Sequence, residues 1–202
     1  MIRIMQQRRA VCAPLLLLVC LVLAQCSKPE FNNIDISGAD YARDFALTDA
    51  SGARRTLSDY RGKVVVLFFG YTQCPDVCPT TLSELARVRR ALGADATRIQ
   101  VLFVTLDPQR DTPQLLAHYV PAFDPSFIGL YGTEPQIHAT AREFKIFYQK
   151  VPGATPDSYT LDHTSGSYVF DRQGRIRLFV PSQARAEPIA SDLRRLLAEA
   201  PG

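Results

Sequence analysis

The chain has 202 residues, enough for one domain and an appendage, with 47% hydrophobic residues and no tryptophan. Its net charge of +3 is carried by Arg3, Arg8 and Arg9; without them the 23 Lys and Arg fall to 20, against 20 Asp and Glu. A near-neutral remainder with no basic cluster among aromatics excludes nucleic acid as a partner.

The basic start runs into VCAPLLLLVCLVLA, fourteen residues (11–24) without a charge or a polar amide. That is short for a membrane span, which needs about 20 apolar residues, and suits a secretory signal. It ends in LAQC, which resembles a bacterial lipobox with Gln25 where Gly, Ala or Ser is usual. Residues 1–26 are therefore expected to be a signal peptide or membrane anchor. Lipidation of Cys26, an uncleaved anchor and ordinary cleavage all stay open. Either attached form would hold the domain on a membrane, because a lipidated N-terminus carries more than one acyl chain. Residues 27–43, polar with Pro29 and Gly38, read as a linker, and residues 44–202 as the exported domain.

DFALTDASGARRTL (44–57) alternates around Ser51 and Gly52 and predicts a hairpin. KVVVLFFG (63–70) is a continuous apolar, β-branched run, the pattern of a strand buried on both faces. PTTLSELARVRRAL (79–92) places Leu82, Leu85, Val88 and Leu92 at helical spacing and stops before Gly93. IQVLFVTL (99–106) predicts a second buried strand, and residues 111–120 a helix with Thr112 as N-cap and Pro113 at its first position. Residues 134–148 read as a helix running into a strand. GSYVFDRQGRIRLFV (166–180) predicts a hairpin around Gln173 and Gly174, and residues 188–200 an amphipathic helix. This order predicts a thioredoxin-like α/β fold: a central mixed sheet with helices on both faces.

Of five cysteines, Cys12 and Cys20 fall in the apolar leader and Cys26 at its end, so only Cys74 and Cys78 belong to the domain. They stand in FFGYTQCPDVCP (68–79), at the C-terminal end of the first central strand, where open α/β sheets place their sites. Pro79 is comfortable only near a helix start, so CPDVC reads as an irregular turn with both thiols at a helix N-terminus. The dipole there favours thiolate, which is nucleophile and metal ligand alike, while Asp76 opposes it. One short loop closure adds little stability to a core of this size, so a purely structural bridge is poorly motivated. A redox pair, half of a metal site and two inert buried thiols remain as readings. His118 and His138 fall in predicted helices and read as surface or packing residues. His163 sits in LDHTSGSYVF (161–170), a polar loop before the late hairpin that a thioredoxin-like fold would place beside the cysteine turn. Two thiolates and one imidazole suit Cu(I), because soft sulfur selects it; zinc would want a fourth ligand or a water.

GKVVVLFF, FFGYTQCPDVCP, VTLDPQRDTP and YTLDHTSGSYVFD, in this order and spacing, resemble the Sco/SenC family of copper chaperones, over roughly residues 44–197. The resemblance implies Cys74, Cys78 and His163 as copper ligands, with Cu(I) as cargo and Cu(II) open. It implies delivery to the dinuclear copper site of cytochrome c oxidase, or reduction of that site's cysteines. The partners expected are the oxidase copper-site subunit or another copper chaperone, with a monomeric domain facing the periplasm from the cell membrane. The alternative is a thiol–disulfide oxidoreductase in which Cys74 attacks and Cys78 resolves; a peroxidase of peroxiredoxin type lacks its Thr-x-x-Cys setting, because Tyr71 stands three before Cys74. DPQRDTP has two readings. Either Asp107 ends a strand, Arg110 pairs with a carboxylate and Thr112 and Pro113 start a helix, or Asp107 and Arg110 stand beside the cysteine turn and support it. Asp162 reads as an acceptor for the His163 ring or as a turn residue, and Tyr71 as packing near the site.

Overall fold

Two strands decide the architecture. VVVLFFG forms β4 (Val64–Gly70) and IQVLFVT forms β5 (Ile99–Thr105), parallel and in register from Val64 opposite Ile99 to Gly70 opposite Thr105, with all fourteen residues buried. A strand covered on both faces reads as an unbroken apolar run, which is why these two were legible. The computed structural model describes residues 30–155 and 158–199; the expectations for residues 1–26, including Cys26, lie outside the described residues.

Around this pair the chain adds β1 (Ile34–Asp35), β2 (Leu47–Asp49), β3 (Arg54–Arg55), β6 (Ile128–Tyr131), β9 (Gly166–Phe170) and β10 (Ile176–Pro181). The eight-stranded sheet has the order β1-β10-β9-β4-β5-β6-β2-β3, parallel at β4-β5-β6 and antiparallel towards both edges. Four α-helices follow in chain order: α1 (Val77–Leu92), α2 (Pro113–Tyr119), α3 (Glu134–Glu143) and α4 (Ala186–Ala198).

Adjacent residues in a strand face opposite sides. Phe68 packs on Phe103 (ring centroids 6.0 Å apart), and Phe103 on Tyr119 of α2 (6.1 Å). Phe69 meets Phe144, just past α3, at 5.2 Å on the other face. Helices thus cover both faces, as expected. Leu82, Leu85 and Val88 of α1 and Ile189, Leu193 and Leu196 of α4 are buried where these two helices pack together.

Several expectations need adjustment. Helix α1 begins at Val77, not near Pro79; Pro79 is its third residue, still in the first turn, where a missing N–H costs nothing. The helix after Thr133 ends at Glu143. Lys145 turns the chain with a φ of 52°, and β7 (Tyr148–Pro152) follows. β7 pairs with β8 (Tyr159–His163) in a separate two-stranded sheet, so His163 ends a strand instead of lying in a loop. The stretch read as a linker joins the fold from Phe31. β1 pairs with Phe179 and Leu178 of β10, and the backbone and side-chain amides of Asn32 and Asn33 all donate to the buried Asp192 carboxylate at 2.8–2.9 Å. The chain from Phe31 onward is one compact unit with its own hydrophobic core, the condition for folding by itself.

Candidate metal centre

β4 delivers the chain to the cysteine turn, and the turn is clamped from behind. Asp111, 1% exposed, accepts from the Thr72 amide (3.0 Å), the Thr72 hydroxyl (2.6 Å) and the Thr105 hydroxyl (2.6 Å). The cysteine turn is thereby tied at Thr72 to the end of β5. Burial raises the Asp111 pKa against those hydrogen bonds. Nothing in the sequence singled out Asp111: an acidic residue before Thr-Pro reads as part of a helix start.

Cys78 is fully buried on the first turn of α1, and Cys74 is half-buried before it; both are free thiols. Gly70 makes room for them: a Cβ there would stand 2.8 Å from the Cys78 Sγ. Asp76 occupies the N-cap position without a side-chain cap. The Cys74 sulfur does that work, accepting from the Cys78 amide at 3.4 Å. A hydrogen bond from the Cys78 thiol, reinforced against burial by the Asp76 and Cys78 amides and by His163, lowers the Cys74 pKa to about 5. The same bond, with burial, pushes the Cys78 thiol far up. The helix start and the neighbouring thiol therefore outweigh Asp76, and Cys74 is the thiolate of the pair.

His163 approaches from β8. Its Nδ1 lies 3.0 Å from the Thr164 carbonyl, which can only accept, so Nδ1 donates there and Nε2 is the nitrogen turned towards the cysteines. Nε2 stands 3.9 Å from the Cys78 Sγ. Ligands at about 2.0–2.3 Å from a shared ion sit roughly 3.5–4 Å from each other, so this spacing suits a bridging ion. Among the described residues no group of three or more His, Cys, Asp and Glu side chains is drawn together as a metal site, so Cys74, Cys78 and His163 are neighbours here without closing round one point. The Tyr71 ring, 2% exposed, meets the imidazole edge-on with centroids 6.1 Å apart, which matches its expected packing role. Asp162 is exposed, and the ring's acceptor is the Thr164 carbonyl in its place. His118 and His138 are exposed on α2 and α3. A recess of about 720 Å³ between α3 and β7 is lined by Gln109, His138, Ile146, Phe147 and Lys150, but by neither cysteine nor His163.

In DPQRDTP, Thr112 caps α2 by accepting from the Leu115 amide at 3.2 Å, and Arg110 pairs with the Asp107 carboxylate. The ion pair and the helix start of the structural reading therefore hold, while β5 ends at Thr105, two residues before Asp107. Asp107 also accepts from the Tyr159 hydroxyl at 2.8 Å, and Arg110 reaches Gln73 in the cysteine turn at 3.1 Å, so the segment also touches the site.

The sequence model of SCO1/SenC matches residues 35–198. The chain belongs to that family. A SCO2-like protein of Rickettsia felis is 39% identical over 145 residues, covering 71% of this chain and 68% of the relative. The mitochondrial SCO2 homologue of Bos taurus is 37% identical over 157 residues, 77% of this chain but only 59% of its own length. Among solved structures, Bradyrhizobium japonicum ScoI with copper bound is 41% identical, with a TM-score of 0.70 over 76% of this chain and 98% of ScoI. Apo Sco1 of Thermus thermophilus is 38% identical, with a TM-score of 0.73 over 84% of this chain and all of that one. SCO1/SenC relatives thus include proteins that hold copper on this fold.

Proposed function

We propose that this SCO1/SenC protein binds Cu(I) through Cys74, Cys78 and His163 and delivers it to the copper-site subunit of cytochrome c oxidase during assembly, from a membrane-tethered position facing the periplasm. The observation that carries the reading is the His163 Nε2 at 3.9 Å from the Cys78 Sγ, on the side of the ring that Nδ1 leaves open by bonding the Thr164 carbonyl. Two sulfurs and one imidazole form a soft, low-coordinate set that favours Cu(I). The copper held by ScoI at 41% identity supports the same cargo here.

Delivery proceeds by ligand exchange. A thiolate of the partner takes the place of half-buried Cys74 first, and the buried Cys78 releases last. Oxidation of the two thiols to a disulfide, with their two electrons passing to a partner disulfide that becomes two thiols, removes both sulfur ligands and switches binding off. That exchange is also the second reading, a thiol–disulfide oxidoreductase acting on the partner's cysteines. The specific observation in its favour is the lowered pKa of the accessible Cys74, the mark of an attacking thiol.

The deciding experiment titrates Cu(I) into residues 27–202, reduced and anaerobic, against a chromophoric chelator. One copper per chain, lost in Cys74→Ser and weakened in His163→Ala, is the expected result. Binding indifferent to His163, or none that competes with the chelator, would leave the oxidoreductase.

A further inference from the structure

The three proposed ligands ride on two separate pieces of chain. Cys74 and Cys78 stand on the turn after β4 and the start of α1. His163 ends β8, whose two-stranded sheet shares no ladder with the central one. A ligand set divided in this way is preorganised only if one piece is fixed against the other.

Arg110, from the loop between β5 and α2, belongs to neither piece and reaches both. Its Nη1 donates to the Gln73 Oε1 (3.1 Å), one residue before Cys74, and to the carbonyl of Tyr159 (2.9 Å), the first residue of β8. Its guanidinium carbon lies 3.5 Å from the centroid of the Tyr159 ring and 5.8 Å from that of Tyr71, the ring that meets His163. Its Nε pairs with Asp107, whose other oxygen takes the Tyr159 hydroxyl at 2.8 Å. The Arg110 side chain is 18% exposed and that of Asp107 1%, so this is not a loose surface pair. A planar guanidinium can stack on a ring and donate in several directions at once; an ammonium cannot.

We infer that Arg110 is a positioning residue of the metal site: with Asp107 and Tyr159 it locks the strand that carries His163 against the cysteine turn. This rests on the copper reading above and deepens it. Arg110 touches no copper. It sets how well His163 completes a site that the cysteines begin.

The test uses residues 27–202, which contain the whole compact unit, with Cu(I) as the probe in the chelator competition. Arg110→Ala is expected to weaken Cu(I) binding about tenfold, the scale at which outer partners of metal ligands act, and Arg110→Lys to restore little of it. In a His163→Ala background, Arg110→Ala should change nothing further, because the lost interaction acts through that histidine. Copper X-ray absorption should lose its imidazole scattering in Arg110→Ala while keeping both sulfurs, a signature that general loosening of the fold would not produce. Full affinity with imidazole scattering intact, or an additive loss in the His163→Ala background, overturns the inference. Tyr159→Phe removes only the hydroxyl bond to Asp107 and should give a smaller loss of the same sign. If Arg110→Ala does not fold, that variant and Arg110→Lys decide, and wild-type binding in both overturns it. A wild-type chain that binds no Cu(I) overturns the copper reading and this inference together. Wild-type binding indifferent to Arg110 overturns the inference alone.

Discussion

The two cysteines are chemically alike and physically opposite. Cys74 is half-buried and receives hydrogen bonds from a thiol and two helix-start amides; Cys78 is fully buried, keeps its proton and donates a hydrogen bond to Cys74. A pKa lowered to about 5 means that Cys74 is thiolate at neutral pH, and that thiolate is lost only as pH falls through 5. Alkylation by iodoacetamide, followed by mass spectrometry of the reduced protein, should therefore label Cys74 first. Its rate should have a midpoint near pH 5 and stay flat above it, with Cys78 protected throughout. A rate still rising between pH 7 and 9, the behaviour of an ordinary thiol, would refute that assignment. Gly70 is the second decisive residue at this scale. A methyl group there would lie 2.8 Å from the Cys78 Sγ and 2.9 Å from the Phe103 ring, neither of which has room to retreat in the core. Gly70→Ala should cost about 1–3 kcal/mol in urea unfolding, the range for overpacking, and a cost near zero would show that the site yields easily.

At the scale of elements, the cysteine turn has no regular structure of its own and depends on its neighbours. Asp111 holds it by three donors from two elements, so Asp111→Ala strands the Thr72 amide and both threonine hydroxyls. Hydrogen bonds to a charged group are worth about 1.5–3 kcal/mol each and are not additive, so a loss of about 3 kcal/mol in equilibrium unfolding is expected. Faster amide exchange should be confined to residues 71–78 and the end of β5. Elements also explain what the sequence could tell. β4 and β5 were legible because burial on both faces leaves an apolar run, and the β9–β10 hairpin because Gly174 adopts a φ of 72° between two β-rich runs, of which β10 alternates and β9 is buried throughout. β7 and β8 were not: only Leu161 among their residues is buried, YQKVP carries no two-residue hydrophobic period, and the alternation of YTLDH rests on Tyr159 and Leu161 alone, too short a run to mark a strand. The candidate site was legible by chemistry despite this, since few sulfur and imidazole groups exist to choose among. Its supports were not. Arg110 works through Gln73 and Tyr159, 37 and 49 positions away, and no local pattern encodes such a reach.

On the scale of the whole molecule, the folded unit is closed at its start and open to linkage at its site. The closure is Asp192, 0% exposed on α4, taking four hydrogen bonds from Asn32 and Asn33. The polar composition that made residues 27–43 look like a linker is, at these two asparagines, the donor set for a buried carboxylate. Asp192→Ala should release β1, seen as new proteolytic cleavage near residues 31–36 with the core still protected; an unchanged digest would mean that β1 is held by its ladder with β10 alone. The linkage at the site follows from the proposed function. A ligand that binds only the folded chain adds about 4 kcal/mol of stability at a free concentration a thousand times its Kd. For a domain of this size each kcal/mol moves Tm by about 2–4 °C, so saturating Cu(I) should raise Tm by about 10 °C in calorimetry of the reduced protein. The Cys74–Cys78 disulfide form offers one imidazole and no thiolate, and its Tm should not respond to Cu(I). An equal rise in both forms would place the copper elsewhere, with exposed His118 and His138 the first groups to replace, and would separate cargo binding from the cysteine turn altogether.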